Sequence, residues 1–263
     1  MRTLVAALAV SASGCGNRPD EMTIVGSTAL LPLAAQATAD YSAAHRDARI
    51  DVSGGGSGVG LAEVENGVVD IGMSDIAAPK TSSDLVDNRV AIVGFAVVVR
   101  SGAALARVKN LTSAQLRAIF SGAIGNWRAV GGPDLPITVI NRPRSSGTRG
   151  TFTDAIMHAT PYTPRELELD SNGAVVDAVA RSSGAIAYVS FAYAGKAAIR
   201  TLTLDGAAPT PQQVRAHRYP LWSFEHMYTK GPPRGLARAY IDFVLTPAYQ
   251  RTTVARLGYV PVR

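Results

Sequence analysis

Hydrophobic positions in the first hundred residues fall into two alternating periods. The runs TIVGS (23–27), ARIDVS (48–53), VVDIGMSD (68–75) and RVAIVGFAVVVR (89–100) concentrate β-branched residues and predict strands. Between the first two, TALLPLAAQATADYSAAH carries Leu30, Leu33, Ala34, Ala37 and Tyr41 on one helical face. Pro32 falls in the first turn of that helix, where a proline is tolerated. A short helical stretch, VGLAEVENG, separates the second strand from the third. Strand, helix, strand, helix, strand is the pattern of a parallel sheet covered by helices, and the run 89–100 is apolar enough for burial on both faces.

A second unit begins near Arg100-Ser101. It holds a helix SAQLRAIF capped by Thr112, a strand PITVIN (136–141), a helix GTFTDAIMHA, a helix NGAVVDAVARS and a strand AIAYVS (185–190). The segment 219–231, YPLWSFEHMYTKG, predicts a β-rich return, and the last helix places Leu236, Ala239, Tyr240, Phe243 and Val244 on one face. The pattern divides the chain into a leader and linker (1–21), a first lobe (22–99), a second lobe (100–218) and a return into the first (219–263). Two α/β lobes joined by two crossings are expected.

Composition narrows the reading. With 47% hydrophobic and 17% charged residues, the 263-residue chain can bury a core, and disorder is not expected beyond the first twenty or so residues. The net charge of +6 suits an anionic partner, but the basic residues are scattered singly and do not interleave with aromatics, which argues against a nucleic-acid groove. The start reads as an export signal: Arg2, a brief apolar stretch from Leu4 to Val10, then small residues leading to Cys15. That stretch is too short to span a membrane. Ser13-Gly14-Cys15 resembles a bacterial lipoprotein signal with lipid on Cys15, although Ala12 stands where leucine is usual. The alternative is an ordinary secretion signal with an incidental cysteine. Cys15 is the only cysteine, so no disulfide forms within the chain.

The candidate chemistry lies at strand ends. Gly26-Ser27-Thr28, Gly54 to Gly58, and Ser145-Ser146-Gly147-Thr148 each follow a strand and open a helix. A helix start offers unpaired N–H groups and partial positive charge to an anion, glycine permits close approach, and a hydroxyl adds a donor. Any one of these is ordinarily only a helix cap. The third lies in NRPRSSGTRGTF, where Arg142 provides a planar fork suited to two oxygens of a tetrahedral oxyanion. Arg144 and Arg149 are expected at the surface. Asp75 would repel an anion unless the anion carries a proton for it to accept; the plainer reading is a cap or an ion pair with Arg142. Phosphate brings such a proton and sulfate near neutral pH does not, so Asp75 would select between them.

An enzyme is not expected. Ser57 lies in GGSGV, which lacks the second glycine of a nucleophile elbow, no P-loop is present, and GGGSGVG fails the dinucleotide spacing. His45, His158, His217 and His226 show no metal-ligand spacing, and no cofactor is implied.

The stretches GSTALLPL, VSGGGSGVG, VDIGMSD, IFSGAIGNW, NRPRSSGTRGTF and GYVPV, in this order from about residue 23 to the C-terminus, resemble the phosphate-binding proteins of high-affinity phosphate ABC transporters. The resemblance implies a two-lobed type II periplasmic-binding-protein fold, each lobe a mostly parallel sheet flanked by helices, closing on phosphate. It implies that Thr28 and the N–H of Ala29 hold the ligand from the first loop, that Ser57 donates, and that Asp75 accepts the ligand proton. Arg142, Ser146, Gly147 and Thr148 would supply the second lobe's contacts. It further implies an exported monomer, held at the membrane by its lipid alone, that serves ABC permease subunits. Trp127 is expected to pack rather than touch ligand, and YPLWSFEHM departs from the family's Pro-containing hinge segment. Receptors for sulfate, molybdate or tungstate, a phosphate-ester hydrolase, and a sensor or adhesin on the same scaffold are the alternatives.

Overall fold

The structure is a computed structural model describing residues 20–263. Cys15, and with it the expected lipidation, lies outside the described residues.

Strand β1 (Asp20–Gly26) leads through a loop to α1 (Leu31–Ala44), β2 (Ala48–Gly54), α2 (Ser57–Glu65) and β3 (Ile71–Ser74). β1 lies parallel between β2 and β3, as the alternating pattern predicts. Leu30, Leu33, Ala34, Ala37 and Tyr41 are all buried, so the helical face is the one the spacing indicates.

The sixteen-residue β4 (Leu85–Arg100) then crosses the molecule. The second unit follows with β5 (Asn110–Leu111), α3 (Ser113–Phe120), β6 (Thr138–Asn141), α4 (Gly147–Phe152), β7 (Leu167–Glu168) and α5 (Asn172–Arg181). It ends with β8 (Ala185–Ser190), α6 (Phe191–Ala194), β9 (Ile199–Thr201), β10 (Thr203–Leu204) and α7 (Pro211–Arg215). The return is β11 (Trp222–Lys230), followed by α8 (Gly235–Val244).

Nine strands of the described residues form one sheet in the order β2-β1-β3-β11-β4-β8-β6-β7, with β9 also on β4. Its outer pairs are parallel, β1 with β2 and β3 on one side and β6 with β7 and β8 on the other. The two crossing strands are antiparallel to each other and to their neighbours: β11 pairs with β3 and with residues 85–94 of β4, and β8 pairs with residues 95–99. Apolar runs buried on both faces do not reveal strand direction, which is why the pattern alone reads 89–100 as one more parallel strand. The burial itself is as expected. Phe95, Val97 and Val99 join one core with Trp127 and Tyr188, while Ala96 and Val98 join another with Val175 and Val179.

Two details differ from the pattern. In α8 the buried stripe is Tyr240, Ile241 and Val244, with Ala239 exposed. The Tyr240 O–H donates to the Ala34 carbonyl at 2.8 Å, which fixes the rotation of α8 on α1. The helix that Ser145-Ser146-Gly147-Thr148 opens starts at Gly147 as that motif indicates, but it widens into a π turn over Thr153–Met157.

Trp127 is fully buried, and its indole N–H donates to the Gly184 carbonyl at 3.0 Å. Trp127→Ala is expected to lower stability by about 3–5 kcal/mol, read as a shift in the urea midpoint.

Candidate functional site

The three glycine-flanked loops meet where the crossing strands pass between the lobes. Thr28, Ala29, Ser57, Asp75, Arg142, Ser146, Gly147 and Thr148 are all buried there. The first loop leaves β1 at Gly26, whose φ of +142° and closeness to the Met73 carbonyl exclude a Cβ. Ser27, rather than Thr28, caps this turn: its Oγ accepts from the N–H groups of Ala29 at 3.0 Å and Leu30 at 3.2 Å. The Ala29 N–H, expected to face a ligand, is thus engaged locally in this structure. Thr28 Oγ1 instead accepts from Asn172 Nδ2 at 3.0 Å and Arg142 Nη2 at 3.3 Å, which leaves its own proton to donate.

Asp75, just past β3, is the node. One carboxylate oxygen accepts from the Ser57 O–H, and the other accepts from the Thr148 O–H of α4 at 2.7 Å. Gly147 lies so close to Ser57 Oγ and to Asp75 Oδ1 that a Cβ would stand 2.6 Å from that carboxylate oxygen. The second and third loops touch again where the Gly58 N–H donates to the Ser145 carbonyl at 2.8 Å. Ser146 caps α4 through its Oγ, which accepts from the Arg149 N–H at 3.4 Å, so the capping role is present and its hydroxyl proton remains available.

The ion pair between Asp75 and Arg142 does not form. Arg142 Nε donates to the Leu169 carbonyl at 2.9 Å and Nη2 to the Asp170 carbonyl at 2.7 Å, while buried Nη1 has no partner. Burial pulls the guanidinium below its ordinary pKa, against the opposing pull of nearby Asp75. It stays a cation, because arginine does not deprotonate in proteins. An unpaired donor on a buried cation is costly, and an anion in the cleft would satisfy it.

Arg149, expected at the surface, is buried. It donates to Glu168 at 2.6 Å, to Glu166 at 2.9 Å and to the Arg142 carbonyl at 2.5 Å, and its guanidinium covers the Tyr162 ring at 4.3 Å. The first turn of α4 carries it back under Arg142, a placement that a cluster of three arginines does not reveal. Arg144 is exposed, as expected. Asn141 completes the support: its Oδ1 accepts from the Arg142 N–H at 2.8 Å and from the Tyr188 O–H.

Two further residues escape the sequence reading. Asn172 joins Thr28 to the Ser190 N–H, which donates to Asn172 Oδ1 at 2.9 Å. Glu225 is fully buried with neither carboxylate oxygen paired; it precedes His226, which pairs with Ser74, and it lies close enough to Asp75 to feel that charge. A lone acid inside the aromatic run WSFEHMY was the available signal. Burial, and then the Asp75 charge, hold the Glu225 carboxyl well above the usual carboxylate range.

Comparison with known proteins bears on this cleft. A PBP superfamily domain model matches residues 11–248. The phosphate-binding protein PstS of Bacillus subtilis (strain 168) is 36% identical over 98% of this chain and 92% of its own length. The chain belongs to the PstS family of the PBP superfamily. A solved structure from Clostridium perfringens with bound phosphate, assigned as a phosphate ABC transporter substrate-binding protein, superposes with a TM-score of 0.87. It is 27% identical and covers 93% of this chain and 100% of its own. An ABC-type phosphate transport receptor from Vibrio cholerae gives 0.73 at 27% identity, covering 91% and 99%. The PstS-type two-lobed α/β fold is thus the one the sequence resemblance implies. No helix of the described residues is long and apolar enough to cross a membrane.

Proposed function

We propose that this protein is an extracytoplasmic solute-binding protein that captures inorganic phosphate between its lobes and delivers it to the permease subunits of an ABC importer. The observation that carries the reading is the buried node at Asp75, an acceptor placed among the donors Ser57, Thr148 and the unpaired Nη1 of Arg142. An anion alone would be repelled by Asp75, whereas an anion that brings its own proton completes the set.

Thr28, the Ala29 N–H and Ser57 would hold phosphate from one lobe, and Arg142, Ser146, Gly147 and Thr148 from the other. The Ala29 N–H would exchange Ser27 Oγ for the ligand. The lobes, 22–99 with 219–263 on one side and 100–218 on the other, would close about the two crossing strands. The protein acts by binding and release without catalysis, as a monomer, and a lipid on Cys15 keeps it near the permease.

Equilibrium dialysis against inorganic phosphate tests the binding step. One phosphate retained per chain in the presence of excess sulfate is expected; retention of sulfate in its place contradicts the reading. Deletion of the gene is expected to lower phosphate uptake at limiting phosphate, and unchanged uptake would separate the protein from transport.

A further inference from the structure

Five buried side-chain polar atoms among the described residues have no partner: Arg142 Nη1, Ser190 Oγ, Arg200 Nε and both oxygens of Glu225. Buried polar atoms are nearly always paired, so such a group of orphans needs a cause. Arg142 contacts Thr28 directly, and Ser190 reaches Thr28 through Asn172. Glu225, on β11, is near enough to Asp75 for that charge to act on its carboxyl. All but Arg200 therefore belong to residues tied to the cleft between the lobes.

We propose that Glu225 is a further ligand-binding residue of this cleft, whose neutral carboxyl donates a hydrogen bond to the bound anion beside the Asp75 carboxylate. The proposal rests on the phosphate reading above.

Three observations support it. First, Glu225 has no exposed surface, and neither oxygen meets a donor among the described residues. An apolar residue of similar size would pack there at lower cost, so a purely structural role explains the carboxyl poorly. Second, no cation among the described residues pairs with it. Asp75 faces it from the end of β3, and Ala91 is its partner on β4. Tyr259 approaches from the C-terminal segment with its O–H committed to the Ala29 carbonyl, and Tyr193 of α6 adjoins Tyr259 and Arg142. His226, next on β11, is held by Asp87 at 2.6 Å. Third, two neighbouring carboxyls cannot both ionise cheaply, and beside an incoming anion the cost rises further. Asp75 is the one supplied with hydroxyl donors, from Ser57 and Thr148, so it carries the charge and Glu225 the proton.

The proton count then balances. The filled cleft holds two protons shared among Asp75, Glu225 and the anion. One lies between the anion and Asp75, and the other between Glu225 and the anion. Writing the second on Glu225 with a dianion, or on the anion as dihydrogen phosphate, changes the label and not the total. Asp75 rejects an anion lacking a proton, whereas Glu225 adds affinity for any oxyanion and ties that affinity to pH. As pH rises through the range where Glu225 ionises in the ligand-free protein, each binding event must take up a proton, so affinity falls.

The test is calorimetric titration of wild type, Glu225→Gln and Glu225→Leu with inorganic phosphate from mildly acidic to alkaline pH, with a thermal melt of each ligand-free protein. Glu225→Leu is expected to bind about 10- to 100-fold more weakly at the acidic end, the effect of one lost hydrogen bond involving a charged group. Its ligand-free form should melt at or above the wild type. Glu225→Gln, which keeps an N–H donor, should lose less affinity and show a flatter fall with rising pH than wild type. Wild-type affinity in Glu225→Leu, a Glu225→Gln profile parallel to wild type, or a ligand-free Glu225→Leu that melts far below wild type would each overturn the proposal. A wild-type protein that binds no phosphate would instead overturn the functional reading on which it rests.

Discussion

Arg142→Leu is expected to weaken phosphate binding by about 10²- to 10³-fold. Truncating one partner of a buried, hydrogen-bonded charge pair costs about 2–5 kcal/mol, and about 1.4 kcal/mol is tenfold in affinity. Arg142 is held on three sides, by the Leu169 and Asp170 carbonyls and by Thr28, so its free Nη1 points in a fixed direction before any ligand arrives. That preorganisation is what a flexible ammonium lacks, so Arg142→Lys should recover only part of the loss. Leucine also strands two buried carbonyls, and a lower melting temperature should accompany the binding defect. The decisive comparison is Arg144→Leu, on an exposed side chain two residues away. It should bind phosphate nearly as wild type does. Equal losses in the two variants would mean that the general positive field, and not the fork, holds the anion.

Asp75→Asn is expected to change selectivity more than stability. The side chain keeps its shape, and its oxygen still accepts from Ser57, but the second position becomes an N–H that must face Thr148. Its one remaining oxygen, already engaged by Ser57 and uncharged, is a much weaker acceptor for a ligand proton. A site built to accept a ligand O–H rejects an analogue lacking it by about 10⁴–10⁵. The phosphate-over-sulfate preference is therefore expected to fall from that range to within about an order of magnitude, partly by a gain in sulfate affinity. Competition of sulfate against bound phosphate measures it. With the neighbouring charge gone, the Glu225 carboxyl should also move down toward the ordinary range, because Asp75 is one of the two causes that raise it.

Glu225 gives the free protein a pH dependence of known sign. Its folded-state pKa lies above the unfolded value, so the folded state binds the extra proton between the two. Its contribution to stability is complete below the unfolded pKa and is lost as pH rises through the raised value. As pH rises from the ordinary carboxylate range, the melting temperature of wild type should fall more steeply than that of Glu225→Gln. Coincident curves would show that Glu225 does not titrate in that window.

Much of this was legible in the residues. The helical face of α1 and the strand 185–190 were legible in the residues, and the three glycine-flanked loops converge because each leaves the carboxyl end of a strand and β6, three antiparallel pairings away from β1 and β2, runs opposite to them. What escaped depends on chain direction and on distant partners. The antiparallel sense of β4 and β11 is invisible in runs apolar on both faces. Arg149 reads as a surface charge until Glu166 and Glu168, far along the chain, fold back onto it. The capture of the Ala29 N–H by Ser27 is a choice between adjacent hydroxyls, Ser27 and Thr28, that spacing cannot make. Glu225 was visible as an acid in an aromatic strand, but its proximity to Asp75 needs the β3–β11 register.

The most direct measurement is calorimetric titration of the anion-stripped protein with phosphate and then sulfate near neutral pH. Tight one-to-one phosphate binding with negligible sulfate heat is expected, with Arg142 and Asp75 as the two sides of the clamp. Sulfate binding as tight as phosphate would keep the anion cradle but contradict selection by Asp75. No heat with either anion would contradict phosphate capture itself.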